Sequence, residues 1–131
     1  MADIPAAFHD LFEKATFAHV TTMTPAGKPH TTPVWIGYDT EANRLLVNTE
    51  RGRRKERNVA NDPTISVSMT DPDNPYRFLS VTGEVEEVTT EGAREHIDEL
   101  SRRYTGEDYA NPIQTERVLL RIRPDEVLTS G

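Results

Sequence analysis

The 131-residue sequence contains no cysteine. Disulfides, thiolate metal sites and cysteine nucleophiles are therefore excluded. Long hydrophobic runs are also missing. No apolar stretch approaches the roughly 18 residues of a membrane span, and Met1-Ala-Asp-Ile-Pro5 is not a basic segment leading into an apolar one. A cytoplasmic protein without a membrane partner is expected. The four histidines, His9, His19, His30 and His96, are scattered and form no close ligand pair, so no metal site is expected. No nucleophile elbow, P-loop or calcium-loop spacing occurs. The catalytic residues are left unassigned: Tyr76, Tyr104 and Tyr109 could each donate a proton, and nothing in the sequence selects among them.

Positive charge is scarce as well. The net charge of −7 argues against nucleic acid or an anionic membrane as a partner, since both need a basic face. The cations that are present are concentrated. Residues 51–57 carry five basic side chains and one acid, a local +4. A cationic spot on an acidic body suits a small, localised anion. The length predicts one domain over residues 1–131. A chain of this size has little surplus to wall a deep cavity, so an extended ligand would sit more easily between two copies.

The residue pattern predicts a mainly β protein. Helical spacing recurs over 5–14, where Ile4, Phe8, Leu11 and Phe12 share a side. Alternation with period two then predicts strands over 17–24 and 29–38, joined by the turn Pro25-Ala-Gly-Lys28. Further strands are expected over 44–49, 64–70, 76–88 and 117–123, with Gly83 marking a bulge or a close backbone approach. Helices are expected over 53–61 and 91–104, the second with an apolar stripe of Ala93, Ile97, Leu100 and Tyr104. Glu84 and Glu86 share a strand face that reads as solvated. Six strands with short turns and only peripheral helices predict an antiparallel barrel rather than a crossover α/β fold.

The segment Asn48-Thr-Glu-Arg-Gly-Arg-Arg-Lys-Glu-Arg-Asn58 is the most informative. A helix starting near Arg53 puts Arg53, Arg54 and Lys55 in its first turn, the end that carries about +0.5 charge and disfavours cations. Its backbone N–H groups also lack partners. A bound phosphate or carboxylate answers both problems, and Gly52 lets the chain turn tightly out of the preceding strand. The alternative is a solvated basic helix end, whose long side chains simply avoid one another in water.

Taken together, the strand pair ending His30-Thr-Thr-Pro-Val-Trp-Ile-Gly-Tyr38, the stretch Arg53-Arg-Lys-Glu-Arg-Asn58 before Asn61-Asp-Pro63, the strand with Val81-Thr-Gly-Glu84 and the late Tyr104-Thr-Gly-Glu-Asp-Tyr109 resemble a known superfamily. It is the pyridoxamine 5′-phosphate oxidase-like, split β-barrel flavin-binding superfamily, in particular its small deazaflavin-dependent reductases. The resemblance covers nearly the whole chain. It implies a six-stranded split β-barrel, and a homodimer with coenzyme F420, or alternatively FMN, in grooves at the subunit interface.

By the same resemblance Arg53, Arg54 and Lys55 would hold the phosphate, and Asn48 and Thr49 the phosphate or ribityl chain. Thr32, Pro33, Val34 and Trp35 would line the ring, with Phe78 contributed by the partner subunit. The implied activity is hydride transfer from reduced F420 to an unsaturated or carbonyl-bearing small molecule. Alternatives are an FMN-dependent oxidase or reductase and a non-catalytic cofactor carrier. Extra cations at Arg51 and Arg57 would suit the anionic glutamyl tail of the deazaflavin. Residues 127–131 lack the Arg-Leu-x-Pro ending of the pyridoxine-phosphate oxidases proper.

Overall fold

Alternating sequence becomes strand with one dry and one wet face. β1 (Ala18–Met23) buries Ala18, Val20 and Thr22 and turns His19 outward. The chain reverses at Gly27, whose φ of 77° favours glycine, and returns as β2 (Pro29–Val34). β3 (Gly37–Asp39), β4 (Arg44–Glu50), β5 (Thr64–Asp71), β6 (Asn74–Thr89) and β7 (Arg117–Ser130) complete one antiparallel sheet, ordered β2-β1-β5-β6-β7-β4-β3. The computed structural model describes all of residues 1–131. The split-barrel character expected from the resemblance is present: the sheet is not closed, and β2 and β3 are its edges.

The strand count is seven, not six. The stretch 29–38 breaks at Trp35 and Ile36, because Ile36 turns wholly into the core. Its backbone groups leave the ladder and find partners on α2 (Ala93–Thr105): the Ile36 N–H is donated to the Tyr104 hydroxyl at 3.3 Å, and the Arg103 guanidinium donates to the Ile36 carbonyl at 2.8 Å. The two edge strands are thus only two residues apart in the chain.

The last strand also runs past the expected 123, to Ser130, pairing along the long β6. At Gly83 the register shifts, and a Cβ there would lie 1.9 Å from the Arg123 carbonyl oxygen. This is the close approach expected of that glycine. Glu84 and Glu86 do face outward, but each pairs with an arginine, Arg123 at 2.9 Å and Arg44 at 2.7 Å.

The inner faces meet in one apolar cluster that includes Leu11, Ile36, Leu45, Ile65, Met69 and Leu120. Each such side chain contributes about 1.5–3 kcal/mol. The amino-terminal segment is a 3-10 helix over Ala6–Phe12 rather than an α-helix over 5–14. Arg77 ties it to the sheet by donating to Asp10 at 2.7 Å and Asp71 at 2.8 Å, with its guanidinium 4.6 Å above the Phe8 ring. The Asp71 carboxyl is pulled down to about 2, first by the Asp73 backbone N–H and then by Lys14. No helix is long and apolar enough to cross a membrane.

Candidate functional site

The basic segment leaves β4 through Gly52, whose φ is 91°. Arg53 is the N-cap of α1 (Arg54–Asn61), one residue later than the sequence predicts. Glu56 reaches back past the N-cap and accepts the Gly52 N–H at 2.9 Å, satisfying a backbone donor just before the helix. The cations divide between two faces of this turn. Arg53 and Lys55 face a cleft between α1, β4 and α2, whereas Arg54 and Arg57 face away, toward Thr24, Pro25 and Asn58.

The cleft has a volume of about 260 Å³. Pro33, Val34 and Trp35 form one wall, and Ile97 and Leu100 of α2 another. Asn48 and Thr49 lie at its base, Arg53, Lys55 and Arg117 bring three cations, and Phe17 and Tyr109 complete its lining. An apolar slot ending in cations matches a flat ring carrying an anionic chain.

The cations differ in their surroundings. Most basic residues of the chain hold a carboxylate, as in Arg51–Glu116, Arg94–Asp98 and Arg121–Asp39. Lys55 and Arg117 hold none. The Lys55 ammonium donates to the Thr32 hydroxyl at 2.7 Å. Burial first, and then the Arg53 charge, push its pKa below the ordinary lysine range. A half-buried ammonium with no counter-ion is costly to keep charged, and an anion in the cleft would relieve that cost.

Glu50 sits behind the cations with its carboxylate buried. Its Oε1 accepts the backbone N–H of Gln114 at 2.6 Å and of Thr115 at 2.5 Å, and Oε2 lies 3.5 Å from the Arg53 guanidinium. These backbone donors, Thr115 foremost, hold its pKa below the usual carboxylate range. Glu50 thereby anchors the segment that leads into β7 and Arg117.

At the other end of the cleft, Trp35 stacks on Tyr104 with ring centroids 5.3 Å apart, and Phe17 meets the same tyrosine edge-on at 5.5 Å. The Tyr104 hydroxyl donates to the Thr16 carbonyl. This hydroxyl also accepts the Ile36 N–H and so helps to hold the β2–β3 break. Tyr76 is 83% exposed and lies outside the cleft, so Tyr109 is the tyrosine that faces it.

Of the residues singled out in the sequence, Pro33, Val34, Trp35, Asn48, Thr49, Arg53 and Lys55 come together around the cleft, with Thr32 attached through Lys55. Arg54 does not join them: it shares a helical face with Arg57 and Asn58, three and four residues on, and lines the depression on that side. Phe78 lies on β6 opposite Thr70 and Ser130, outside this chain's cleft. Arg51 pairs with Glu116 across an exposed contact and does not line the cleft. His30 is half-buried on β2, its Nδ1 buried without a partner.

Arg117 was not legible as a site residue. It opens a run in which Val118, Leu120 and Ile122 alternate, and so reads as the wet face of a strand. The structure buries Arg117 through Leu120 on both faces, because α2 covers the start of β7.

The sequence pattern of the family described as pyridoxamine 5′-phosphate oxidase matches residues 4–131. Among proteins with curated functions, none matches. Among solved structures, an F420 reductase superimposes with a TM-score of 0.83 at 30% identity, over 95% of this chain and 98% of that one. A conserved hypothetical protein from Mycobacterium tuberculosis gives 0.71 at 22% identity, over 99% and 86%. A putative pyridoxamine 5′-phosphate oxidase from Listeria innocua gives 0.67 at 17%, over 94% and 92%. The last two share the fold.

Proposed function

Because the chain belongs to the pyridoxamine 5′-phosphate oxidase family, we propose that it is an oxidoreductase moving a hydride from reduced coenzyme F420 to an unsaturated or carbonyl-bearing small molecule. The observation that carries this reading is the cleft itself, an apolar slot beside Trp35 that ends at the unpaired Lys55 ammonium and at Arg53. When bound, the reduced deazaflavin supplies the hydride. Lys55 and Arg53 hold the phosphate, Asn48 and Thr49 meet the phosphate or ribityl chain, and Thr32 to Trp35 flank the ring. The protein's part is then to fix distance and orientation and to keep the slot dry.

The choice of F420 over FMN rests on a second observation. Arg54 and Arg57 lie beside one another around a depression with Thr24, Pro25 and Asn58, and neither holds a carboxylate. Arg54 joins Arg51 and Arg57 as a candidate grip for the anionic glutamyl tail, which FMN lacks. The neighbouring structure named F420 reductase supports the same choice.

A homodimer completes the reading, with Phe78 of the partner subunit closing each groove. Phe17, Tyr76 and Leu128 are more than half exposed. The outward face of β5 and β6 carries small hydroxyl side chains, Ser66, Ser68, Ser80 and Thr82, flat enough to meet a second copy.

Titration of the apoprotein with both cofactors is the test. The sole tryptophan, Trp35, lines the cleft, so quenching of its fluorescence reports occupancy directly. Tighter binding of FMN reverses the cofactor assignment. A loaded, reduced protein that passes no hydride to a panel of enones and quinones leaves it a carrier.

A further inference from the structure

We propose that Arg117 is an anion-binding residue of the cleft, closing on the phosphate from the side opposite Lys55, and that Asn48 and His96 are the positioning residues that aim it. The inference rests on the reading of the cleft as a phosphate-bearing cofactor site. It adds a grip from a distant strand that the basic segment does not contain.

Arg117 is 8% exposed and has no carboxylate at ion-pairing distance. Of the five N–H donors of a guanidinium, the Nε–H is donated to Asn48 Oδ1 at 2.8 Å. The planar group packs over the Tyr109 ring, 5.1 Å from its centroid. The two terminal nitrogens are not sealed from solvent and have no hydrogen-bond partner in the protein, and Arg117 lines the cleft. They therefore open into it. Burial outweighs the attraction of Glu50, which acts on this charge from beyond ion-pairing distance, and Arg53 and Arg94 oppose the charge as well. A buried guanidinium with no directly bound carboxylate stays expensive, and its free fork fits two oxygens of a phosphate.

The aim of that fork is set one layer back. The Asn48 amide nitrogen donates to the Ala93 carbonyl at 2.8 Å and to His96 Nδ1 at 3.2 Å. With both amide protons taken by acceptors on α2, Oδ1 must face Arg117. A flipped amide would set donor against donor at Arg117 and oxygen against the Ala93 oxygen. His96 must present an unprotonated Nδ1, with its proton on Nε2. That nitrogen packs against Gly37, where a Cβ would come within 2.6 Å. Burial, and then Arg103, depress the His96 pKa to about 4, which keeps the acceptor available at neutral pH. The chain of contacts runs from α2 through β4 to β7 and ends in the slot.

The test compares phosphorylated and dephosphorylated ligands by Trp35 quenching: FMN against riboflavin, and F420 against its phosphate-free deazaflavin core. Arg117→Gln is expected to weaken the phosphorylated member of each pair by about 10- to 100-fold, the worth of a charged hydrogen bond, while changing the other by less than about 3-fold. Arg117→Lys should recover part of the loss, because charge returns without the fork. It also serves if the glutamine variant does not fold.

His96→Leu is expected to weaken phosphorylated ligands by about 5-fold, and His96→Asn, which restores an acceptor, to regain most of it. Folded arginine variants that keep the wild-type preference for the phosphorylated ligands overturn the assignment of Arg117. Equal losses on both members of each pair overturn it too, since they mark a structural role. A wild-type protein with no preference for phosphate, or no binding of either ring, overturns instead the cofactor reading beneath it.

Discussion

The Lys55 ammonium reaches from the first turn of α1 to the edge strand β2 and donates to the Thr32 hydroxyl at 2.7 Å. Two segments 23 residues apart in sequence are joined at the mouth of the cleft by a cation whose only protein partner is neutral. The ammonium is therefore available to an anion.

Replacing Lys55 and Arg53 together by alanine should weaken cofactor binding by about 3–6 kcal/mol, two charged hydrogen bonds at ~1.5–3 each. Arg54→Ala should leave the ring-and-phosphate interaction within about 0.5 kcal/mol, because its side chain points to the other side of the helix. Isothermal titration of both variants with FMN checks the contrast without involving the glutamyl tail. Equal losses in the two would mean that Arg54 reaches the phosphate as well.

The depressed Lys55 pKa makes binding proton-linked. Above its folded pKa the free protein holds Lys55 neutral, and an anion raises that pKa by favouring the charged form. Binding should therefore take up protons as the pH climbs toward the ordinary lysine value, and affinity should fall over the same range. Calorimetry in buffers of different ionisation enthalpy measures this uptake, and Lys55→Met should abolish it.

His96 predicts an acid-side loss of stability. Its pKa is about 4 in the fold, lowered by burial and then by Arg103, against about 6.5 when unfolded. Between those values the unfolded chain binds the extra proton, so stability is full above about pH 6.5 and declines as pH falls toward about 4. The loss is on the order of 3 kcal/mol. Urea midpoints at pH 7 and pH 5 should differ in the wild type and converge in His96→Asn. Asp71, with a pKa of about 2, loses its contribution only in more acid solution, outside this window.

Gly83→Ala should destabilise by about 3 kcal/mol, at the upper end for overpacking, since the added carbon would fall 1.9 Å from the Arg123 carbonyl oxygen. Gly27→Ala meets nothing within 4 Å and carries only the strain of a φ of 77°, about 1 kcal/mol. Thermal melts of the two variants separate steric from conformational cost.

Much of this arrangement could be read in advance. Alternation at Ala18, Val20 and Thr22 and at Ile65, Val67 and Met69 located strands because each has one wet face. Gly83 was legible because a glycine inside such a run marks a point where the neighbouring backbone leaves no room for a side chain. The cationic turn stood out against an acidic chain. Two things were hidden for physical reasons. Arg54, Arg57 and Asn58 share a helical face at any helix start, but which face meets the cleft depends on how α1 packs against β1 and β4. Arg117, buried on a strand covered by a helix, loses the alternation that would have marked it. Ile36 was hidden in the same way, since the partners that let it leave the ladder, Arg103 and Tyr104, lie nearly seventy residues later.

The two unpaired borders of the sheet, β2 and β3, are consecutive in the chain and linked through Trp35 and Ile36 alone. The chain itself, and not a ladder of hydrogen bonds, joins the two edges of the open sheet. Pro33 and Val34 are held on one side by pairing with His19 and Ala18, and the contacts of Tyr104 and Arg103 with Ile36 hold the link on the other. The wall of the slot formed by Pro33 to Trp35 is thus fixed at both ends before any ligand arrives.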